Sequence, residues 1–256
     1  MLARFGAGLV ACGLLILLLG GLKLALAKWA IVIVAAAGLT YEVFLRKKRP
    51  ASPPSRGSEP VSALNGSLFW LGFAAAFAGI LVAVVPCLSP ATDLDVVSGT
   101  LSAAKDYDSL GRIVPYGGAD VPSYTSLAQC LYAWAYATGA EADARLLSWL
   151  FAGFAAAALY VLGGQLAGRA AGAVAAGALA TTPLFMDRAS AVSGDMLALG
   201  LVLASLSALT AWQKEGRLAW LVFGGVLLGS AWDGSRNVAV VCCVAVALVA
   251  CLARYD

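Results

Sequence analysis

Long apolar runs broken by short polar stretches dominate the hydropathy pattern of this chain. They predict about eight membrane-spanning helices, at roughly 7–26, 29–45, 67–87, 145–164, 170–185, 196–212, 218–233 and 237–253. About 20 apolar residues carry a helix across the hydrocarbon core of a bilayer. Several of these runs are shorter than that or rich in Ala and Gly, so they can span only when packed closely against neighbours. One stretch departs from the pattern. Ser123 to Thr138 places Leu127, Leu131, Tyr132 and Trp134 over one broad apolar face, yet it is too short and too polar to span comfortably. It reads as a helix lying in the membrane interface within the first large outer loop, anchored by Tyr124, Tyr132, Trp134 and Tyr136. The expected fold class is therefore an all-α, polytopic membrane protein.

Composition sharpens this. Apolar residues are 61% of the chain and charged residues only 12%, well outside the range of soluble domains. The cluster Arg46-Lys47-Lys48-Arg49 is of the kind retained on the cytoplasmic side. One span separates it from the loop Pro86–Tyr124, which carries Asp93, Asp95, Asp106, Asp108 and Asp120 and is therefore expected on the extracytoplasmic face. Alternating the spans puts Arg4, Arg56, Arg169, Lys214, Arg217 and Arg254 on the cluster's side, against Glu42, Glu59, Glu215 and Asp256. Acids outnumber bases on the other face. Both termini are accordingly expected in the cytoplasm, in a plasma membrane or endoplasmic reticulum. The net charge of +3 is no signal for nucleic acid.

Arg4, an apolar run and Ala25-Leu26-Ala27 resemble a signal peptide, read here as an uncleaved signal anchor. Cys12, Cys87, Cys130, Cys242, Cys243 and Cys251 show no CxxC spacing and read as small buried residues. The chain contains no histidine. That removes His-ligated metal, the commonest haem ligand and His-based triads. Chemistry is left to carboxylates, arginines, lysines and hydroxyls. Three domains follow: a transmembrane hairpin at 1–49, a Pro/Ser cytoplasmic linker at 50–66, and a transmembrane module at 67–256. Asn65-Gly66-Ser67 matches a glycosylation sequon, but this topology turns it to the cytoplasm.

Three outer segments converge on one face: 88–124, 186–195 and 233–237. They offer Asp93, Asp95, Asp195 and Asp233 together with Arg112, Arg188 and Arg236. Carboxylates can serve as general base or hold a divalent cation, and arginines can clamp a phosphate. Such a mixture at a lipid boundary suits a substrate with a membrane-embedded tail and a charged head. Asp106, Asp108 and Asp120 read as ordinary solvated charges.

The order of these features resembles the GT-C glycosyltransferases, membrane enzymes that use polyprenyl- or dolichyl-phosphate-linked sugars. The matching residues are Val84-Val85-Pro86, then Thr92-Asp93-Leu94-Asp95, and Val114-Pro115-Tyr116-Gly117 running to Asp120-Val121-Pro122. The next span, from Ala144-Arg145-Leu146-Leu147-Ser148 to Gly168-Arg169, resembles protein O-mannosyltransferases and lipid A aminoarabinose transferases. Asp187-Arg188-Ala189-Ser190 and Gly194-Asp195 follow, with Trp232-Asp233-Gly234 further on. Val114-Pro115-Tyr116-Gly117, the Arg188–Asp195 spacing and the turn at Trp232 also resemble the catalytic subunit of oligosaccharyltransferase. Leu197 stands where that subunit has a second acid. The chain ends soon after its last predicted span, whereas these families continue, so the resemblance implies a truncated module. The first hairpin has no counterpart in them.

The resemblance implies a glycosyltransferase module acting at the extracytoplasmic face on a lipid-linked sugar. Asp93 or Asp95 would be the base, and Asp195 would assist it. Arg188, Arg236 and Arg112 would bind the lipid phosphate, and Asp93 with Asp195 would hold a divalent cation, Mg or Mn. The rival is a non-catalytic, degenerate subunit of a larger membrane complex, its small-residue helices packed against other membrane subunits and lipids. A transporter would need ionisable residues at mid-membrane, and the spans contain almost none.

Overall fold

A computed structural model of the protein describes residue 14 and residues 63–89, 100–113 and 126–234. Every element among these residues is helical: α1 (Ala63–Val82), α2 (Val84–Cys87), α3 (Thr100–Leu110), α4 (Leu127–Ala167), α5 (Arg169–Ala180), α6 (Pro183–Ser190), α7 (Asp195–Glu215) and α8 (Leu218–Gly234). Three stretches are long and apolar enough to cross a membrane: Asn65–Cys87, Glu141–Ala167 and Asp195–Glu215. They coincide with the spans expected at 67–87, 145–164 and 196–212. The run expected at 170–185 is a broken pair, α5 and α6, apolar enough together to cross but bent by 68°, as in a broken span or a re-entrant loop. α8 occupies the run expected at 218–233 as a shorter apolar helix. The runs at 7–26, 29–45 and 237–253 lie outside the described residues, apart from Leu14. α1 begins at Ala63, inside the linker expected at 50–66.

α4 is the hub, touching every other one of these helices. Its start is fixed by a capping box: Ser126 Oγ accepts from the Gln129 amide, and Gln129 Oε1 accepts from the Ser126 amide. Its 41 residues rise about 60 Å, roughly twice a bilayer core. The surplus is its first turns, and α3 packs on them. Leu101, Ala103, Ala104 and Tyr107 of α3 are buried in the same cluster as Leu127, Ala128, Leu131, Tyr132 and Ala135 of α4.

Two expectations are corrected here. Ser123–Thr138 does not form a helix of its own, because from Leu127 onward it is the first part of α4. Its Tyr132 ring is fully buried against Phe151 in an edge-to-face pair. Within the loop expected to be polar, residues 100–110 form a helix that gives its apolar face to the core.

The bend between α5 and α6 has a local cause. Pro183 has no amide hydrogen and its ring crowds the preceding turn, so the α5 ladder cannot run through it. Thr182 takes an extended backbone, and Pro183 then opens α6. Hydroxyls past the break reach back to α5 carbonyls: Thr181 Oγ1 donates at 2.9 Å to Gly177 O, which also accepts the Thr181 amide, and Thr182 Oγ1 donates to Ala178 O at 2.8 Å.

α1 and α5 pack backbone to backbone. A methyl group placed on Gly72 would lie 2.5 Å from the Ala173 carbonyl carbon, and one on Gly177 would lie 2.6 Å from Gly72 O. Only glycine permits this approach. The outer side of α1, with Trp70, Leu71, Phe73, Phe77 and Leu81, is exposed. Only 17% of the α1–α2 span is buried, against 61% of the α7 span. α7 is therefore central and α1 peripheral, with an apolar outer side suited to lipid.

Candidate functional site

Between α6 and α7 the chain must turn, and the carbonyls at the end of α6 and along the link have no helical partner. Leaving one of them buried and unmet costs about 1–3 kcal/mol. α4 answers with three side chains. Arg145 donates through Nε to Ser190 O at 3.2 Å. The Ser148 hydroxyl donates to Ala191 O, and the Tyr132 hydroxyl donates to Ser193 O at 2.7 Å. The Ser193 amide folds back onto Ala191 O at 2.8 Å. The link 191–194 is thus pinned along its length to α4.

Arg145 is the only charged side chain buried among the described residues. Besides Ser190, its Nη1 donates to Ser89 O, just past the end of α2. Glu141, one turn earlier on α4, stands 3.9 Å from its Nη1. A planar, forked guanidinium can reach several carbonyls at once, which a lysine ammonium cannot do with the same geometry. One side chain therefore ties the C-terminal ends of α2 and α6 to α4. Tyr132 feels the same junction. Burial pushes its phenol well above the ordinary range, a hydrogen bond with the Ser148 side chain opposes this, and the negative charge of Asp195 adds to it.

Asp195 opens α7 directly after the pinned link and is half-buried. A carboxylate there is favoured by the helix dipole. Arg188, also half-buried, lies in the last turn of α6 on the other side of the link. The fold therefore brings Arg188 and Asp195 to one short, rigidly held corner. Among the described residues neither makes an ion pair. Ser193 Oγ and Trp134 Nε1 are buried without a hydrogen-bond partner among the described residues. Arg112 is exposed, just beyond Gly111 at the end of α3. Asp93, Asp95 and Arg236 lie outside the described residues. Leu197 is fully buried, so the position two residues after Asp195 faces the core and not the corner.

Among the described residues, no group of three or more Cys, Asp or Glu side chains could hold a metal ion. Of the two carboxylates expected to do so, Asp195 is among them and Asp93 lies outside the described residues. The cysteines fare as expected where they are described: Cys87 and Cys130 are buried.

Sequence reasoning quoted Arg145 and Ser148 as part of a resembling span and gave neither a role at the site. A signal was present. Arg145 stands in the first turns of an apolar span with Ser148 at i+3 on the same helical face, and an ionisable group at that depth calls for a partner. No family model, curated protein or solved structure matches this chain.

Proposed function

We propose that this chain is an integral-membrane, multi-pass glycosyltransferase module of the GT-C kind, with about eight spans and both termini in the cytoplasm. It transfers a sugar from a polyprenyl- or dolichyl-phosphate at the extracytoplasmic face of a plasma membrane or endoplasmic reticulum. The observation that carries this reading is the corner: Asp195 opens a spanning helix one pinned link away from Arg188, at the end of an apolar bundle. A substrate with a long isoprenoid tail and a phosphate head needs those two environments side by side. The Asp195 carboxylate takes the proton of the acceptor hydroxyl or amide as the new bond to the sugar carbon forms. The bond from that carbon to the lipid phosphate oxygen breaks, and Arg188, with Arg236 and Arg112, stabilises the charge on the departing phosphate. Asp93 or Asp95 assists in positioning the acceptor, and Asp93 with Asp195 would hold a Mg or Mn ion, which would supply electrostatic stabilisation. Arg145, Ser148 and Tyr132 act as positioning residues by holding the link.

The test is turnover of a polyprenyl-phosphate sugar by the purified protein in lipid. Asp195→Asn and Arg188→Gln should each lower kcat by about 100-fold or more, with the thermal midpoint unchanged. Wild-type activity in both variants would end the reading.

A second reading has its own support. Leu197 buries the position where a second acid would help hold a cation, and α1 meets α5 through glycines as helices of a packed scaffold do. In that reading the chain is a degenerate, non-catalytic subunit of a larger membrane complex. Absence of turnover with any lipid-linked donor, together with stable co-purification in a complex, would favour it.

A further inference from the structure

The end of the molecule opposite Asp195 carries a second cluster, which the proposed reaction does not use. α7 runs 21 residues from Asp195 to Glu215, about 30 Å and so about one bilayer core. At its far end Lys214 is exposed and donates through Nζ to Gln165 O, at the end of α4, at 2.7 Å. Thr210 donates to the Gln165 side chain, fixing the two helix ends together. Arg169, exposed, opens α5 one turn after Gln165. Arg217, exposed, follows Gly216 at the tip of the α7–α8 hairpin. The three cations thus rim one end of the bundle.

A single acid, Glu215, accompanies them among the described residues of this end, and it is already engaged. Arg217 Nε lies 3.5 Å from its carboxylate, and Trp220 Nε1 donates to it at 3.0 Å. The local balance is therefore positive. Beside the cations stand exposed apolar groups, Leu166 at 68% and Leu218 at 69%. Trp212 and Trp220 are half-buried at the same level. Charged groups next to exposed leucines and tryptophans at a helix end mark the boundary between hydrocarbon and headgroups. A soluble anion would satisfy the cations but leave the leucines in water. A phospholipid satisfies both.

We infer that Arg169, Lys214 and Arg217 form a docking surface for the headgroups of anionic phospholipids, whose acyl chains lie along Leu166 and Leu218. The inference is independent of the proposed reaction, which lies about one bilayer away.

The test uses the full-length protein in phosphatidylcholine bilayers containing a trace of spin-labelled phosphatidylglycerol or, separately, spin-labelled phosphatidylcholine. The fraction of label immobilised by the protein gives the relative affinity for the two lipids. Wild type should prefer phosphatidylglycerol several-fold, and the preference should fall with added salt. The triple variant Arg169→Gln, Lys214→Gln, Arg217→Gln should lose most of it. Should loss of the Lys214–Gln165 bond impair folding, the double variant Arg169→Gln, Arg217→Gln keeps that bond and should lose roughly half or more of the preference. A variant that folds, by circular dichroism, and keeps the wild-type preference overturns the inference. So does displacement of the labelled lipid by inorganic phosphate beyond that caused by chloride at equal ionic strength, which would make the surface a site for a free anion.

Discussion

Two regions of this protein join helices by opposite means. Where α4 meets the link 191–194, long polar side chains reach across and donate to backbone carbonyls, with Arg145, Ser148 and Tyr132 each matched to an acceptor. Where α1 meets α5, Gly72 and Gly177 let one backbone rest on the other. The first junction handles irregular backbone, whose carbonyls must be met by something in an apolar setting. The second joins regular helices whose hydrogen bonds are already made, so only close packing remains to be gained. The difference decides how each should fail. Losing a donor leaves a buried acceptor unmet, whereas adding atoms to the seam pushes two helices apart.

Removing Arg145 tests the first junction most severely. Arg145→Leu leaves the Ser190 and Ser89 carbonyls without their donor and should cost about 3 kcal/mol, read as a lowered thermal midpoint in detergent. Arg145→Lys should recover less than half of that, because a point charge cannot fork between two carbonyls. Full recovery by lysine would mean that charge, and not geometry, holds the junction. At the seam, Gly177→Leu should cost about 2 kcal/mol by overpacking, and crosslinking between cysteines placed on α1 and α5 should be lost. Gly229→Ala is the contrast, since nothing lies within 4 Å of the added methyl. It should stabilise by about 0.5–1 kcal/mol through helix propensity.

Tyr132→Phe removes one donor while keeping the ring, and should cost about 1 kcal/mol near neutral pH. It also carries a pH signature. Because burial raises the phenol above its ordinary value of about 10, the folded state keeps its proton where the unfolded chain loses it. The contribution is then fully present below about pH 10 and is lost as pH rises beyond that. Thermal stability followed into the alkaline range should fall less steeply in Tyr132→Phe than in wild type. Equal slopes would mean that Tyr132 is not sheltered.

Much of the helical framework was legible in the apolar runs. The spans expected at 67–87, 145–164 and 196–212 match Asn65–Cys87, Glu141–Ala167 and Asp195–Glu215 to within a few residues. This works because a membrane helix advertises itself by run length, a property of consecutive residues. The run at 170–185 gave no sign of its bend, since hydropathy does not register that Pro183 interrupts the ladder. Residues 100–110 were hidden by Lys105, Asp106 and Asp108, which outweigh an apolar face of four residues in any local average.

The candidate corner divides along the same line. That Asp195 begins a helix and that Arg188 lies seven residues earlier could be read directly from the chain. The pinning of their link could not, since Arg145 and Tyr132 find their acceptors 45 and 61 residues away. The amino-acid sequence alone determined which segments are apolar enough to cross a membrane and which residue types remain for chemistry without histidine. Only the tertiary structure decided which buried charge meets which carbonyl, that Tyr132 lies in the core instead of at an interface, and which cations rim the far end of α7. The physical reason is one of range: hydropathy, propensity and proline sterics act between neighbours in the chain, whereas hydrogen-bond partners and burial are set by segments that meet only after folding.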